Sequence, residues 1–197
     1  MSLIIAMCLF SLSMSISPGP VNLITLSTGV NHGIRNAMPF VTGATVGFTL
    51  LLLFVGMGMG QLAAENEGLM QTLGVLGSGF ICYMGYKVAT AEPSIDIADQ
   101  SLPSFWQGFV LQWINPKAWV ACLAGVSAFN LTGPGNTLWL FVILYGLVCY
   151  PAIASWAVAG SRIRYLLTEK HHIQTFNRVM GGTLVAVALY LIYWQQS

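Results

Sequence analysis

Two stretches decide the fold of this chain: SMSISPGPVNLI at residues 13–24 and LQWINPKAWV at residues 111–120. Each places proline within an apolar run of about 25 residues, which is long enough to cross a lipid bilayer. Proline interrupts helical hydrogen bonding because it has no N–H and its ring crowds the preceding turn. Both stretches therefore predict a membrane-spanning helix that is broken part-way.

The composition of the 197 residues indicates a membrane protein. Apolar residues make up 56% of the chain without its 21 glycines, and charged residues make up 7%, where a soluble domain has about 25%. The mean hydropathy of +0.74 agrees with this class. A formal net charge of +1 gives no support for a nucleic-acid partner, which requires a concentrated basic face, so the expected surroundings are membrane lipid.

Six stretches of the chain are long and apolar enough to span a bilayer. Their continuous apolar runs exclude the alternating pattern of barrel strands, so helices are predicted. The predicted spans are Leu3 to Thr28, Ala37 to Gly60, Leu69 to Tyr86, Phe105 to Phe129, Asn136 to Gly160 and Asn177 to Tyr193. The intervening connections are too short to fold independently, which predicts a single all-α membrane domain over residues 1–197.

The N-terminal run and the cysteines fit this interpretation. No Lys or Arg precedes the first apolar run and no A-x-A-like site follows it, so we expect a retained first span rather than a removed signal peptide. The four cysteines lie in apolar runs without a C-x-x-C pair and are expected to be reduced packing residues: Cys8, Cys82, Cys122 and Cys149.

The basic residues predict the orientation in the membrane, because Lys and Arg concentrate in cytoplasmic connections. Six of the seven lie in or beside the first, third and fifth connections: Arg35, Lys87, Arg162, Arg164, Lys170 and Arg178. The second and fourth connections and both termini have none. Both termini are therefore predicted to lie outside the cytoplasm.

The six predicted spans divide into two halves of three, at residues 1–98 and 99–197. An odd number of crossings in each half requires the two halves to lie inverted relative to one another in the membrane. The first span of each half is interrupted by proline. Paired interruptions at corresponding positions are the best sequence indication of a binding site in a secondary transporter.

Ser17-Pro18 and Asn115-Pro116 both resemble helix starts, since Ser and Asn are favoured N-cap residues and proline is tolerated at the first helical position. The two internal helix N-termini are then expected to face each other near the midplane, each with free N–H groups and partial positive charge. This arrangement predicts a pocket for an anion. The alternative is a pair of proline kinks that only shape the bundle.

Apart from Arg178, the second residue of the sixth predicted span, Lys117 is the only basic residue within a predicted span, and no Asp or Glu lies within any of the six. Its ammonium group is expected to meet backbone carbonyls, a substrate carboxylate, or an interface reached by snorkelling. Asn22 and Asn115 are expected to offer neutral hydrogen bonds nearby, with helix capping or packing as the alternative. The candidate substrate-binding residues are therefore Ser17, Pro18, Gly19, Pro20, Asn22, Asn115, Pro116 and Lys117.

Several spans carry glycines at a spacing that lets helices approach closely, as in Gly43-x-x-x-Gly47 and Gly56-x-x-x-Gly60. Packing within one subunit is the simplest interpretation, with sliding surfaces or a homodimer contact as alternatives. His171-His172 lies in a basic connection without a zinc motif, and a solvated pair is expected rather than a metal site. No catalytic motif or cofactor motif is present, so no enzymatic activity is expected.

In its two proline motifs and the residues that lead into the second one, the chain resembles the LysE/RhtB family of bacterial amino-acid exporters. The resemblance covers the whole length and rests on Ser17-Pro18-Gly19-Pro20 together with Phe105, Gly108, Asn115, Pro116 and Lys117. A narrower similarity, to the cysteine and O-acetylserine exporter branch, rests on residues 31–35, on Phe105-Trp106 and on Leu111-Gln112. Many family members have an acidic residue directly after P-G-P, whereas this chain has Val21.

The resemblance implies export of small neutral amino acids across the bacterial inner membrane by a secondary transporter using alternating access and the proton gradient. Val21 leaves no membrane carboxylate for an acidic proton relay. Pro18, Gly19 and Pro20 with Asn22 are expected to open one side of the site, and Asn115, Pro116 and Lys117 are expected to hold the substrate carboxylate from the other. A nonenzymatic channel or assembly module is the main alternative, and a membrane enzyme is the third.

Overall fold

The computed structural model describes residues 3–59, 67–91, 102–131, 134–167 and 169–196. Within these ranges the chain forms α-helices joined by short turns and contains no β-strand. The helices are α1 Leu3–Ile16, α2 Pro20–His32, α3 Ile34–Phe54, α4 Glu67–Ala89, α5 Phe105–Ile114, α6 Pro116–Ala128, α7 Asn136–Leu166 and α8 Lys170–Gln196, with a π-helical turn Val55–Met59 after α3. Gly60 and most of the predicted second and third connections lie outside the described residues.

Local sequence explains several of these helix boundaries. The start of α5 is a capping box, in which the Ser104 hydroxyl accepts from the Gln107 N–H and the Gln107 side chain accepts from the Ser104 N–H. Gly33 separates α2 from α3 with a φ of 80°, a left-handed conformation that favours glycine. Gly58 has a φ of 92° in the π-helical turn, which ends the regular part of the second predicted span.

Two predicted connections are shorter than the sequence suggested. The first was predicted over residues 29–36, but helix continues on both sides of Gly33. The fifth was predicted over residues 161–176, but α7 runs to Leu166 and α8 begins at Lys170. The predictions placed helix ends where hydropathy falls, whereas backbone hydrogen bonding continues through polar residues because helix formation does not require an apolar side chain.

Two of the described helical segments are each long and apolar enough to cross a membrane, Ile34–Gly58 and Asn136–Leu166. The pair α1 and α2 makes a third if it is counted as one span with a bend of 63°. Among the described residues, the other predicted spans do not meet the same criterion, so six crossings remain a prediction. Large apolar side chains such as Ile143 and Leu147 are exposed, as lipid contact requires.

The most extensive helix contacts join the first half of the chain to the second: α4 with α8, α3 with α5, and α2 with α7. Glycine allows the helix backbones to come close together in two of these pairs. A Cβ atom on Gly108 of α5 would clash with the Phe40 carbonyl of α3, and one on Gly160 of α7 would clash with the Leu26 carbonyl of α2. These glycines therefore bring helix backbones into direct contact within one chain.

Polar contacts also join separate helices. Asn31 of α2 and Asn177 of α8 exchange hydrogen bonds of 2.7 and 2.8 Å, and the Asn177 amide donates to the Ala91 carbonyl at 3.0 Å. Asn177 is fully buried, so these bonds satisfy an amide that has no access to water. The four cysteines are free thiols, as the sequence predicted.

Candidate functional site

The first helix break lies between α1 and α2 at residues 17–19. The Asn22 side chain connects α2 to the end of α1, because its amide donates to the Ser15 and Ser17 carbonyls at 2.8 Å each. Gly19 is the N-cap residue of α2, in an extended conformation and without a side-chain cap, and Pro20 is the first helical residue. The N–H groups of Val21 and Asn22 therefore start a helix whose N-cap supplies no side-chain acceptor.

This geometry corrects the prediction that Ser17-Pro18 starts the second half-helix. The Ser17 hydroxyl donates back to the Met14 carbonyl at 2.9 Å, so it belongs to the end of α1 rather than to the cap of α2. The sequence offers two prolines that suit a helix start, Pro18 and Pro20. The chain uses the second because proline disfavours helical backbone in the residue before it, and Gly19 adopts the extended conformation that results.

The second break, between α5 and α6, is a single residue. Asn115 has φ of −90° and ψ of 111°, and its side-chain oxygen accepts from the Lys117 N–H at 3.1 Å. The predicted start at Asn115-Pro116 is therefore confirmed, and Asn115 acts as a cap. The Ala118 N–H also bonds to the Asn115 carbonyl at 2.9 Å. The expectation that both helix starts present free N–H groups is thus wrong for α6.

Lys117 joins the two breaks. Its Nζ atom donates to the Ser17 carbonyl at 2.7 Å and to the Pro18 carbonyl at 3.0 Å. These oxygens are available because the chain leaves the helix at that point. The structure therefore shows the ammonium bonded to backbone carbonyls, which is one of the alternatives that the sequence left open. An ammonium group has three donors, so one N–H remains for another acceptor.

Gly19 makes room for this contact. A Cβ atom at this position would lie 2.9 Å from Lys117 Nζ and 3.0 Å from its Cδ. The extended backbone of Gly19, with φ of −177° and ψ of 175°, is open to any residue, so the need for glycine is spatial. The P-G-P motif therefore gives the lysine access to the carbonyls of the break.

A cavity lies where the two breaks meet and encloses about 40 Å³ of space for the centre of a water-sized sphere. Five of the predicted site residues line it: Gly19, Pro20, Asn22, Asn115 and Lys117. The other three do not. Ser17 and Pro18 contribute their carbonyls to the lysine, and Pro116 begins α6.

The rest of the cavity wall was not predicted from the sequence. It is contributed by α1, α2, α3, α5, α6 and α7 and consists of Met14, Ser15, Val21, Phe48, Gln112, Ala118, Ala121, Tyr145, Cys149 and Ile153. The Phe48 and Tyr145 rings stack 4.4 Å apart across α3 and α7. Gln112 is buried, and its amide donates to the Ala44 carbonyl at 3.2 Å. A polar residue in an apolar span was the available signal for Gln112 and Ser15.

The cavity is electropositive for structural reasons. It contains the Lys117 ammonium and borders the start of α2, where N–H groups point along the helix axis. No Asp or Glu occurs in the sequence of the helices that line it. Among the described residues, no group of three or more His, Cys, Asp or Glu side chains is placed to hold a metal ion. The site therefore suits a small group that carries negative charge.

Both a family profile and individual known proteins match nearly the whole length of the chain. The family profile described as LysE type translocator matches residues 12–195. A cysteine/O-acetylserine efflux protein of Klebsiella pneumoniae is 25% identical over 191 residues, which cover 96% of this chain and 94% of the relative. A protein of the same description from Escherichia coli is 27% identical over 195 residues, covering 98% and 95%. No solved structure gives a significant match.

Proposed function

Because the chain belongs to the LysE-type translocator family, we propose that it exports small neutral amino acids across the bacterial inner membrane by alternating access. The family membership and the similarity to proteins described as cysteine/O-acetylserine efflux proteins support amino-acid export by a multi-pass membrane protein. The proton gradient is proposed as the driving force. The proposed substrate site is the cavity between the two helix breaks.

The observation that carries this proposal is the position of the Lys117 ammonium, which bonds to the first break while lining a cavity bordered by the second. A neutral amino acid is a zwitterion, so its site must supply partners for a carboxylate and for an ammonium group. The third N–H of Lys117 and the N–H groups at the start of α2 are suited to the carboxylate.

The ammonium group of the substrate is proposed to lie beside the unwound carbonyls of the first break. The Ser17 carbonyl accepts from both Lys117 and Asn22, which fills its two lone pairs. The Pro18 carbonyl accepts from Lys117 alone among the described residues, and so has one lone pair left. The Pro18 carbonyl is therefore the proposed acceptor for the substrate ammonium, although Pro18 does not itself line the cavity but directly precedes Gly19, which does.

The size of the cavity favours a small substrate. A single water needs about 10–15 Å³ of the same kind of space, so 40 Å³ holds roughly three water-sized groups, and the site must widen to admit even a whole serine or alanine. Side chains with a few heavy atoms fit this volume better than long ones. The cavity lining also includes Ala118 and Ala121 of α6, where larger residues would reduce the space further.

Counterflow in proteoliposomes tests the proposal against a channel or an assembly module. Vesicles loaded with unlabelled serine, cysteine or alanine are diluted into the labelled amino acid, and transient accumulation is measured with and without an imposed pH gradient. Saturable counterflow that the pH gradient enhances is expected for a proton-driven exporter. Non-saturable leakage, or no flux across a broad amino-acid panel, would contradict the proposal and favour the alternatives.

A further inference from the structure

The four serines at residues 11–17, in and directly after α1, differ in what their hydroxyl groups bind. Three of them donate to a carbonyl one turn earlier in α1, at distances of 2.7, 2.8 and 2.9 Å: Ser11, Ser13 and Ser17. This bond is the usual way in which serine satisfies its hydroxyl inside a membrane helix. Ser15 is the exception, because its buried Oγ atom has no hydrogen-bond partner.

Ser15 is 8% exposed and lines the cavity at the helix breaks. Its polar neighbours are the Tyr145 hydroxyl and the Cys149 thiol of α7, which interact with the serine hydroxyl without reaching the distance and angle of a regular hydrogen bond. A buried hydroxyl without a partner is unfavourable, and such groups are rare in native structures. The Ser15 hydroxyl therefore lacks a regular hydrogen bond and can form one with a group that enters the cavity.

The position of Ser15 relative to Lys117 indicates which part of a substrate it meets. The Ser15 carbonyl accepts from Asn22, which places this residue directly before the first break on the α1 side. Lys117 bonds to the carbonyls of Ser17 and Pro18 within the break, and α2 begins at Pro20, so the groups proposed above to bind the carboxylate follow Ser15 along the chain. When the carboxylate and ammonium groups of an amino acid bind at the break, its side chain is directed towards α1 and α7.

We propose that Ser15 is a specificity-determining residue that hydrogen-bonds the polar group of the substrate side chain, so that the site distinguishes polar side chains from aliphatic ones of the same size. This inference rests on the export activity proposed above. A serine hydroxyl both donates and accepts, so it pairs with a hydroxyl or a thiol in either direction. An aliphatic side chain of the same size leaves Ser15 unpaired, which disfavours its binding.

The test compares isosteric pairs in the counterflow assay: serine against alanine, and cysteine against 2-aminobutyrate. The wild-type protein is expected to prefer the polar member of each pair by about threefold to tenfold in kcat/KM, the range of one neutral hydrogen bond. In Ser15→Ala the preference should fall to about one, mainly through poorer transport of the polar member. Ser11→Ala is the matched control, since Ser11 lies on the same helix and is buried but bonds to Met7.

Ser15→Cys keeps the size of the side chain and a weak donor, so it should retain part of the preference and provides a second variant if Ser15→Ala is not inserted. A wild-type protein without preference, or a Ser15→Ala protein with the full preference, would overturn the inference while leaving amino-acid export intact. Absence of counterflow for every amino acid in the wild type would instead overturn the proposed function.

Discussion

Lys117 shows how a single charge is accommodated in an apolar helix. An unpaired ammonium near the bilayer centre costs about 2.5–3.5 kcal/mol on insertion scales. The two carbonyls of the first break each accept a charge-assisted hydrogen bond, which contributes about 1.5–3 kcal/mol. These bonds offset the cost without a carboxylate, and they leave one N–H of the lysine for the proposed substrate.

We predict that Lys117→Met inserts and folds but loses most export, because it removes the charge while keeping a side chain of similar length. A loss of about tenfold or more in kcat/KM corresponds to one charge-assisted hydrogen bond. Lys117→Arg should keep part of the activity, since it keeps the charge but not the point geometry of an ammonium. Lys170→Met, at the exposed start of α8, is the control and should transport normally. Normal transport by Lys117→Met would refute the role of the charge.

The two helix breaks differ in construction although both begin a half-helix with proline. The first spans residues 17–19, bends the helix axis by 63° and leaves the start of α2 without a side-chain cap. The second is Asn115 alone, whose side chain and carbonyl satisfy the first N–H groups of α6. The first break therefore supplies most of the free backbone groups, and the second supplies the lysine.

From this difference we predict unequal effects of straightening the two breaks. Replacing Pro18, Gly19 and Pro20 with alanine should extend the first helix, remove the carbonyls that bind Lys117 and strongly weaken substrate binding. Pro116→Ala should have a smaller effect because Asn115 still caps α6. The combined variant should lose less binding free energy than the sum of the separate losses, as expected for one shared site.

Binding to the purified variants is measured by isothermal titration calorimetry, with size-exclusion chromatography to establish that each variant is monodisperse. Fully additive losses would indicate two independent kinks. Undiminished binding in the variant without Pro18, Gly19 and Pro20 would place the substrate elsewhere.

The glycines in the spans serve close contacts between helices of the same chain at the positions the structure describes. Gly43 and Gly47 of α3 face the Phe105 and Phe109 carbonyls of α5, and Gly85 of α4 faces the Gly181 carbonyl of α8. At these positions, the spacing of the glycines therefore allows close helix packing within one subunit. Gly79 and Gly182 are different, because a Cβ atom at either would meet nothing within 4 Å.

This contrast gives a prediction about stability. Gly108→Ala should lower the free energy of unfolding by about 1–3 kcal/mol, because its Cβ clashes with the Phe40 carbonyl and the two helices must separate. Gly182→Ala should leave stability unchanged or raise it by up to about 1 kcal/mol, since alanine favours helix. Thermal unfolding of both variants in detergent measures the difference, and equal shifts of the two midpoints would contradict the packing argument.

The molecule as a whole is assembled from contacts between its two halves. The pairings of α4 with α8, α3 with α5 and α2 with α7 each cross the boundary between residues 1–98 and 99–197. We propose that these contacts reflect two inverted halves. In such an arrangement, helices of one half pack against helices of the other half. The two breaks meet only when both halves are present, so the substrate site would be shared between them.

The orientation of this assembly is predicted from the placement of its basic residues. The first, third and fifth connections should be cytoplasmic and both termini outside, because all basic residues apart from Lys117 lie in or beside those connections. Reporter fusions at each terminus, or labelling of single cysteines introduced into a cysteine-free variant, measure the side on which each segment lies. Two cytoplasmic termini would reverse the orientation, and termini on opposite sides would exclude an even number of crossings.

The membrane class, the approximate helices and the positions of the two breaks were determined by the sequence alone. Each depends on properties that belong to a short segment: apolar side chains favour lipid, and proline has no N–H to donate. The same local reasoning identified Asn115 as a cap and Lys117 as a charge that needs a partner. It misplaced the start of α2, because two prolines satisfied the same local rule and the choice depended on the residue between them.

Only the tertiary structure decided which groups meet. The contact from Lys117 to the Ser17 carbonyl joins residues 100 positions apart, and Phe48, Tyr145 and Cys149 reach the cavity from helices that the motifs did not mark. The unpaired hydroxyl of Ser15 could not be distinguished in sequence from the bonded one of Ser11 on the same helix. Such features arise from helix packing and side-chain rotamers, which depend on the positions of all the helices at once, whereas hydropathy and proline act within a single turn.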